Sequence, residues 1–376
     1  MACHRILFVI SSLRKCGPVR QLGYIIKYLN RETFVPVIVK LTEEKEGSMD
    51  DYFRAMDVSV STFFFPIRDI ALKRKRSRKE ILKFTHPDLV HVHGFRPDAL
   101  FSGYEERPVV TTLRNFPGAE YRLRLGTFAG RIIEKAHTGF IKNITAPVAC
   151  SPYVAAQYEK QYDLSVLGID NGIDTKFYVS LSDEEKKALQ KKLALDNSEM
   201  VFISSGDLSL RKDPETLIHA FLKSRWRDQG VLVFAGKEKI RGFKKKWAHP
   251  RIRFLGDVND IRSWYQASDV LLSASRAEGL PNAVLEGMSC GLAPLLSDIM
   301  PHAYILDSYP AGETRFAIGD SSKLASLLNE LTPEETNKKG QAASRHVNLH
   351  FSAQKMSQEY QDLYLRLISQ KRENIL

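Results

Sequence analysis

The sequence runs to 376 residues, 43% of them hydrophobic and 26% charged. That excludes a disordered chain and points to two domains of ordinary size, because single cores stop growing beyond about 250–300 residues. A formal net charge of +11 draws the protein towards something anionic, whether nucleic acid, phosphorylated ligands or an acidic membrane surface, and charge alone does not choose among them. Cys3, Cys16, Cys150 and Cys290 are scattered with no CxxC pair, so neither a zinc site nor a disulfide framework is expected and a reducing, cytoplasmic compartment fits.

Near the N-terminus, Ile6-Leu7-Phe8-Val9-Ile10 is too brief for a membrane span or a signal segment and reads as a buried strand. A loop over 11–18 leads to a helix over 19–29 with apolar Leu22, Ile25, Ile26 and Leu29 on one face. Further strands are expected at 35–39, 89–92, 109–112 and 147–150, with helical stretches between them. Lys73-Arg74-Lys75-Arg76 with Arg78 and Lys79 forms a dense basic block. It reads either as a solvated face or as a peripheral contact with an anionic leaflet, where each basic residue contributes about 1 kcal/mol. His91 and His93 share a strand face at a spacing open to a metal, but no further ligand clusters with them, and His91 reads as a satisfied core histidine.

The pattern then restarts. After a charged helix over 182–193 come strands at 200–203, 231–234, 252–255, 270–273 and 293–296, with helices over 214–224, 261–267 and 281–290. Lys244-Lys245-Lys246, flanked by Phe243 and Trp247, is a second basic cluster that reads as a solvated face or as a segment with both aromatics at headgroup level. Strand then helix repeated is the signature of parallel sheets covered on both faces. The expected fold class is α/β, with two Rossmann-like domains facing a cleft: 1–178, 179–352, and a helix over 353–376 that has no strand after it and is expected to pack back on the N-terminal domain. In such sheets ligands bind beyond the carboxyl ends of the strands.

The most informative segment is Glu278-Gly279-Leu280-Pro281-Asn282-Ala283-Val284-Leu285-Glu286, lying between a strand and a helix. Pro281 is expected at the first helical position. The amides of Asn282, Ala283 and Val284 then point out of the helix start, where unpaired N–H groups and the helix dipole favour an anion such as a diphosphate. Glu278 and Glu286 stand roughly 10 Å or more apart at helical rise, too far for a retaining glycosidase pair, which needs about 5 Å. The spacing suits two carboxylates gripping opposite ends of an extended ligand.

This element, with the trailing Gly287-Met288-Ser289-Cys290-Gly291, resembles the Glu-x7-Glu signature of the family 4 retaining glycosyltransferases of GT-B fold. Asn171-Gly172-Ile173-Asp174 with Phe177 resembles the end of that family's N-terminal domain, residues 206–212 its phosphate loop, and 254–269 its nucleobase region. The resemblance implies that Glu286 binds the donor ribose, that Glu278 lies at the donor sugar, and that Lys212 neutralises the diphosphate. Gly279 and Leu280 would line the donor beside them. Gly206 and Gly17 would let backbone approach the phosphates, a physical use of glycine in such turns. His93 would stand near the reacting centre, making His93, Glu278 and Lys212 the catalytic set. The activity implied is transfer of a hexose, with retention, from a nucleotide diphosphate donor, expected as a UDP-sugar, to a glycan or lipid-linked acceptor in cell-surface polysaccharide synthesis. The basic block suits an acceptor presented at the inner face of a membrane.

Departures from the family pattern bear on the site. Asp207 stands where an arginine is common after the loop glycine, so either Arg211 or Arg14 is expected to supply the second positive charge. Gly17-Pro18 replaces a Gly-Gly pair, and Leu113-Arg114 follows Thr111-Thr112 where a histidine is common, which points to different acceptor chemistry. The acceptor is expected to be read by N-terminal loops over 114–135. The chain contains no Asp-x-Asp, so a metal is not implied, no cofactor is expected, and the charge of the leaving group falls to Lys212, arginine and helix amides. The competing readings are a nucleotide-sugar epimerase or other GT-B-like enzyme, a nucleic-acid-binding protein, and a donor-binding protein without catalysis. A dehydrogenase is disfavoured because no G-x-G-x-x-G follows either first strand. No zinc finger, RRM signature or aromatic-basic ribbon supports a nucleic-acid partner.

Overall fold

A computed structural model describes residues 3–44, 46–114, 121, 126–195, 199–310, 312 and 314–373. The chain divides into two compact units, Met1–Gly172 with Ala353–Leu376, and Ile173–Ser352. The first is built on seven parallel strands, β1 (His4–Ile10), β2 (Phe34–Lys40), β3 (Ser59–Thr62), β4 (Leu89–His93), β5 (Val109–Leu113), β6 (Ala146–Ala149) and β7 (Leu167–Gly168), in the order β3-β2-β1-β4-β5-β6-β7. The second has six, β8 (Met200–Ser205), β9 (Gly230–Ala235), β10 (Ile252–Gly256), β11 (Val270–Ser273), β12 (Ala293–Ser297) and β13 (Arg315–Phe316), in the order β10-β9-β8-β11-β12-β13. Both are doubly wound. Chain direction across the sheet reverses between β1 and β4 and again between β8 and β11, and at such a switch point the flanking loops diverge and leave room for a ligand.

Side-chain alternation explains why these strands are buried on both faces. Ile6, Phe8 and Ile10 of β1 pack into one cluster with Leu22, Ile25 and Ile26 of helix Gly17–Lys27, while Leu7 and Val9 join Val37, Val39, Val90, Val92 and Ile81 on the other side. The strands expected from the apolar runs all form. The short edge strands β3, β7 and β13 were not expected, since two to four residues carry too little periodicity to separate from loop.

Helix Ala353–Glu373 belongs to the first unit, as expected. Met356, Tyr360, Leu363, Tyr364 and Ile368 enter the cluster around β1, and burying each such side chain contributes about 1.5–3 kcal/mol. Polar contacts fix its register: Ser357 Oγ donates to the Ile25 carbonyl at 2.8 Å, and the Asn30 amide donates to Gln361 Oε1 at 2.9 Å. The division between the units falls after Gly172, not after 178. The Ile173 amide donates to the Phe351 carbonyl at 2.8 Å and Ser289 Oγ donates to the Tyr178 carbonyl at 2.6 Å, which ties residues 173–178 to the second unit.

The second basic cluster is a correction. Phe243 is a core residue and Trp247 donates its indole N–H to Glu215 at 3.3 Å while its ring packs edge-on against His219, so these aromatics are committed inside the fold. Lys246 pairs with Glu215 at 2.5 Å.

Two glycines separate packing from propensity. A Cβ at Gly236, after β9, would lie 1.9 Å from the Gly206 carbonyl oxygen, whereas one at Gly139, within helix Thr127–Lys142, would meet nothing within 4 Å. Gly139→Ala is expected to stabilise the protein by roughly 0.5–1 kcal/mol through helix propensity, and Gly236→Ala to cost about 3 kcal/mol or more through backbone displacement. Urea denaturation of both variants measures the contrast; equal effects would remove the close approach at Gly236.

Candidate active site

In the second unit the loops leaving β8 and β11 lie on either side of the switch point. The first begins at Gly206, whose φ of +130° is a region that favours glycine, and a Cβ there would press to 2.8 Å from Lys212 Cε. The loop then closes a turn, with the Lys212 and Asp213 amides donating to the Ser209 carbonyl at 3.0 and 3.1 Å. Asp213, itself left-handed at φ 47°, caps the start of helix Pro214–Lys223. The second loop is stitched to it through the backbone: the Arg276 amide donates to the Arg211 carbonyl at 2.8 Å, and Arg211 Nη1 donates to the Ala277 carbonyl at 2.8 Å. Arg276 also pairs with Asp213 at 2.8 Å.

Glu278 is the hub. Its carboxylate pairs with Lys212 Nζ at 2.8 Å and with Arg211 Nη1 at 2.7 Å, and accepts from Ser275 Oγ at 2.9 Å. Burial alone would raise its pKa, but the charges and hydrogen bonds of Lys212 and Arg211 outweigh it and bring the group down to about 2. The set carries one net positive charge, and the carboxylate side chain is only 11% exposed against 44% for Arg211. An arriving polyanion therefore meets two cations already gathered and held.

Beneath Glu278 lies His302, fully buried. Its Nδ1 donates to the Ser297 carbonyl at 2.9 Å and its Nε2 faces Ser273 Oγ at 3.4 Å, which in turn stands 3.3 Å from Ser275 Oγ. Burial pushes its pKa down to about 4, against the opposing pull of the Ser297 carbonyl and Glu278. A neutral imidazole thus backs the serine that orients Glu278.

Helix Asn282–Ser289 follows β11, and here the expected start shifts by one residue. Pro281 has an extended ψ of 99° and occupies the N-cap, so the helix begins at Asn282. The Val284 amide donates to the Pro281 carbonyl at 3.0 Å, so it is engaged by the chain itself and does not point outward. Asn282 and Ala283 are half-buried at the helix start, with Gly279 half-buried and Leu280 buried before them. Glu286 lies one turn in, 3% exposed, with the Tyr265 hydroxyl 3.5 Å away. Close by, Cys290 has its thiol pKa raised by burial and by Glu286.

Of the two arginines expected to replace the one missing at Asp207, Arg211 stands beside Lys212. Arg14 belongs to the first unit, where it bridges Ser48 and lines a groove with Glu43, Glu44 and Glu46.

In the first unit His93 ends β4, followed by Gly94 at φ +91°, and Gly17 opens helix Gly17–Lys27 in the loop after β1. His91 is satisfied inside the core as expected: Nδ1 meets the Tyr364 hydroxyl and Nε2 the Thr112 hydroxyl, both at 2.7 Å. His93 stacks on it with ring centroids 4.3 Å apart. Although only 6% exposed, His93 has neither ring nitrogen hydrogen-bonded. Burial, and then the charge of Arg114, hold its pKa well below the usual histidine value, so the ring is neutral at pH 7. Among the described residues no group of three or more His, Cys, Asp or Glu side chains converges. Of the loop over 114–135, segments 115–120 and 122–125 lie outside the described residues.

Sequence reasoning missed Ser275, His302, Arg276 and Gly236. His302, Arg276 and Gly236 act through neighbours distant in sequence and Ser275 through Glu278 three residues on, and none sits in a pattern that would have signalled it.

The buried groups set an acid limit. Both Glu278 and His302 have folded-state pKa values below their ordinary ones, so each contributes stability that is present above its ordinary pKa and lost as pH falls through the lowered one. For His302 the window is pH 6.5 to about 4 and for Glu278 it is 4.5 to about 2. His302→Gln is expected to flatten the decline in stability between pH 6.5 and 4, a decline worth about 3 kcal/mol at most in the wild type. Urea midpoints at pH 7, 5.5 and 4.2 measure it; parallel curves for the two proteins would mean that His302 is not held neutral.

Known proteins match this architecture. The Glycosyltransferase Family 4 model matches residues 17–177 and the Glycosyl transferases group 1 model matches residues 199–333. The chain is similar to the O-antigen biosynthesis glycosyltransferase WclY of Escherichia coli, 22% identical over 96% of this chain and 98% of that one. It is also similar to the UDP-Gal:alpha-D-GlcNAc-diphosphoundecaprenol alpha-1,3-galactosyltransferase of Escherichia coli, 26% identical over 69% of this chain and 71% of that one. The crystal structure of Anabaena HepE in complex with UDP and glucose superposes with a TM-score of 0.79 at 17% identity, covering 97% of this chain and 100% of that one. With both halves matched and both parallel sheets aligned, the chain belongs to the family 4 glycosyltransferases and has the GT-B fold.

Proposed function

We propose that this glycosyltransferase moves a hexose from a UDP-sugar to a glycan or lipid-linked acceptor in cell-surface polysaccharide synthesis, with retention and without a metal at the diphosphate. The observation that carries the reading is the Glu278 carboxylate shared between Lys212 and Arg211 at the head of helix Asn282–Ser289. Two cations held by an internal carboxylate can turn to a diphosphate without being gathered from solvent, which is preorganised stabilisation of the leaving group. As they turn, Glu278 is released to accept from sugar hydroxyls. Glu286, one turn along, is placed for the ribose. UDP-linked chemistry also appears in the names of the galactosyltransferase and HepE structures to which the chain is similar.

In this mechanism the bond from the anomeric carbon to the β-phosphate oxygen breaks while a bond to the acceptor oxygen forms on the same face. The acceptor hydroxyl's proton passes to the departing phosphate oxygen, leaving UDP. Lys212 and Arg211 meet the charge that grows on that oxygen, and neutral His93 accepts a hydrogen bond from a hydroxyl near the reacting carbon.

The acceptor is proposed to be reached at a membrane surface. In helix Arg74–Thr85, Arg78 is committed inside, with its guanidinium 4.7 Å from the centroid of Tyr104, but Lys75, Arg76 and Lys79 are exposed, as is Lys73 before it. Leu72 and Phe84 at the helix ends are 82% and 60% exposed. Lys73 stands 3.7 Å from Asp69, and the other three exposed cations, at about 1 kcal/mol each, support reversible attachment to an anionic leaflet. Among the described residues no helix is long and apolar enough to cross a membrane.

Glu286→Ala is expected to weaken UDP binding by about 1.5–3 kcal/mol while the fold survives, and calorimetric titration measures it; unchanged affinity removes Glu286 from the donor. Lys212→Ala should lower kcat roughly hundredfold, the scale of losing one donor to a developing oxyanion. EDTA should leave the wild-type rate unchanged, and an EDTA-sensitive rate restored by magnesium would refute the metal-free reading. Replacing Lys73, Lys75, Arg76 and Lys79 by Gln should abolish sedimentation with anionic vesicles, and equal sedimentation of both proteins would exclude this helix.

A further inference from the structure

Arg114 follows β5 directly, beside the end of β4 that carries His93. Its Nη1 donates to Asn171 Oδ1 at 2.5 Å, while Nε and Nη2 are shut from solvent with no hydrogen-bond partner. No carboxylate of a described residue pairs with it. The groups that bear on its charge are Tyr360, Cys150, Cys16 and Tyr364. A guanidinium stays charged in any protein environment, and a buried charge without a counter-charge is strongly unfavourable. Such a group persists where something anionic arrives to meet it.

The surroundings fit an anion. His93, buried and neutral, presents two unpartnered ring nitrogens near the same guanidinium. Meanwhile the donor's diphosphate is already provided for by Lys212 and Arg211 in the second unit, which leaves this cation for a second anion.

We propose that Arg114, with His93, forms a pocket for an oxyanion carried by the acceptor, a phosphate or carboxylate set close to the attacking hydroxyl. This rests on the glycosyltransferase reading above and adds the chemical class of its acceptor. Neutral His93 donates to the oxyanion through one ring nitrogen and accepts from the hydroxyl through the other. The pocket selects anionic acceptors over neutral sugars because a neutral group would leave the charge carried at Nε and Nη2 without a counter-charge.

The test is calorimetric titration of the full-length protein, first with UDP and then, with UDP saturating, with inorganic phosphate. Wild type is expected to bind phosphate on top of UDP. Arg114→Gln, which keeps an amide within reach of Asn171 but removes the charge, should weaken phosphate at least tenfold and leave UDP affinity within about twofold. Arg114→Lys, which retains the charge, should restore part of the phosphate affinity. Without phosphate, Arg114→Gln should match or exceed the wild-type thermal midpoint, because an uncompensated buried charge has been removed. A tenfold loss of UDP affinity in Arg114→Gln would assign the cation to the donor and overturn the proposal. So would wild type that binds UDP but no phosphate, or a midpoint that falls in Arg114→Gln, which would make Arg114 a structural residue. Failure of wild type to bind UDP in the first titration would instead strike the reading on which this one rests.

Discussion

A carboxylate between two cations ties together the two loops of the donor half. Glu278 comes from the loop after β11, and Lys212 and Arg211 from the loop after β8. These strands are neighbours in the sheet but about seventy residues apart in the chain, so the ion pair fixes a relation that local structure cannot. It persists although burial disfavours the charged carboxylate, because two positive charges and the Ser275 hydroxyl stabilise it more than burial costs. The other features of the half follow from keeping these loops in place. Gly206 and Gly236 are bare because their backbones touch, the Arg276 amide donates to the Arg211 carbonyl while the Arg211 side chain donates to the Ala277 carbonyl, and His302 is buried nearby.

The first unit is organised differently, around a column of buried rings. Phe8, His91 and His93 stack from the sheet outward, and Tyr360 and Tyr364 of the C-terminal helix close the column from the side. His91 shares its two nitrogens between Tyr364 and Thr112, and Thr112 reaches the Tyr360 hydroxyl at 2.9 Å. Every polar group of that lower layer is paired, which holds it rigid. His93, stacked on that layer, and Arg114 near it are shut from solvent with hydrogen-bonding capacity unspent. Paired groups below and unpaired groups above separate support from recognition within a few ångströms.

The charge of the chain divides along the same line. Lys246 and Arg276 are paired within the second unit, and half-buried Arg78 packs against the Tyr104 ring in the first. Among the described residues no carboxylate pairs with Lys75, Arg76 or Lys79 of helix Arg74–Thr85, or with Arg114, whose Nε and Nη2 are shut from solvent, and at such positions an external anion changes the energy most. A net charge of +11 therefore says less about affinity than the few places where positive charge is left unbalanced.

The sequence by itself determined the two α/β halves, the strands buried on both faces and the return of the C-terminal helix, because apolar runs and helical spacing are local signals that survive in any context. It also pointed to Glu278, Glu286, Lys212 and His93 as the residues to watch, through motifs at loop and helix starts. Only the tertiary structure decided that Arg211 shares Glu278 with Lys212, that the Val284 amide is already engaged, and that Phe243 is buried with Trp247 packed against the core. It alone brought His302 beneath Ser275 and Asn171 onto Arg114. Apart from the Val284 amide, which bonds to Pro281 within the same turn, the deciding contacts join residues far apart in the chain, and a hydrogen bond or ion pair depends on the folded separation of two groups, which no local pattern records.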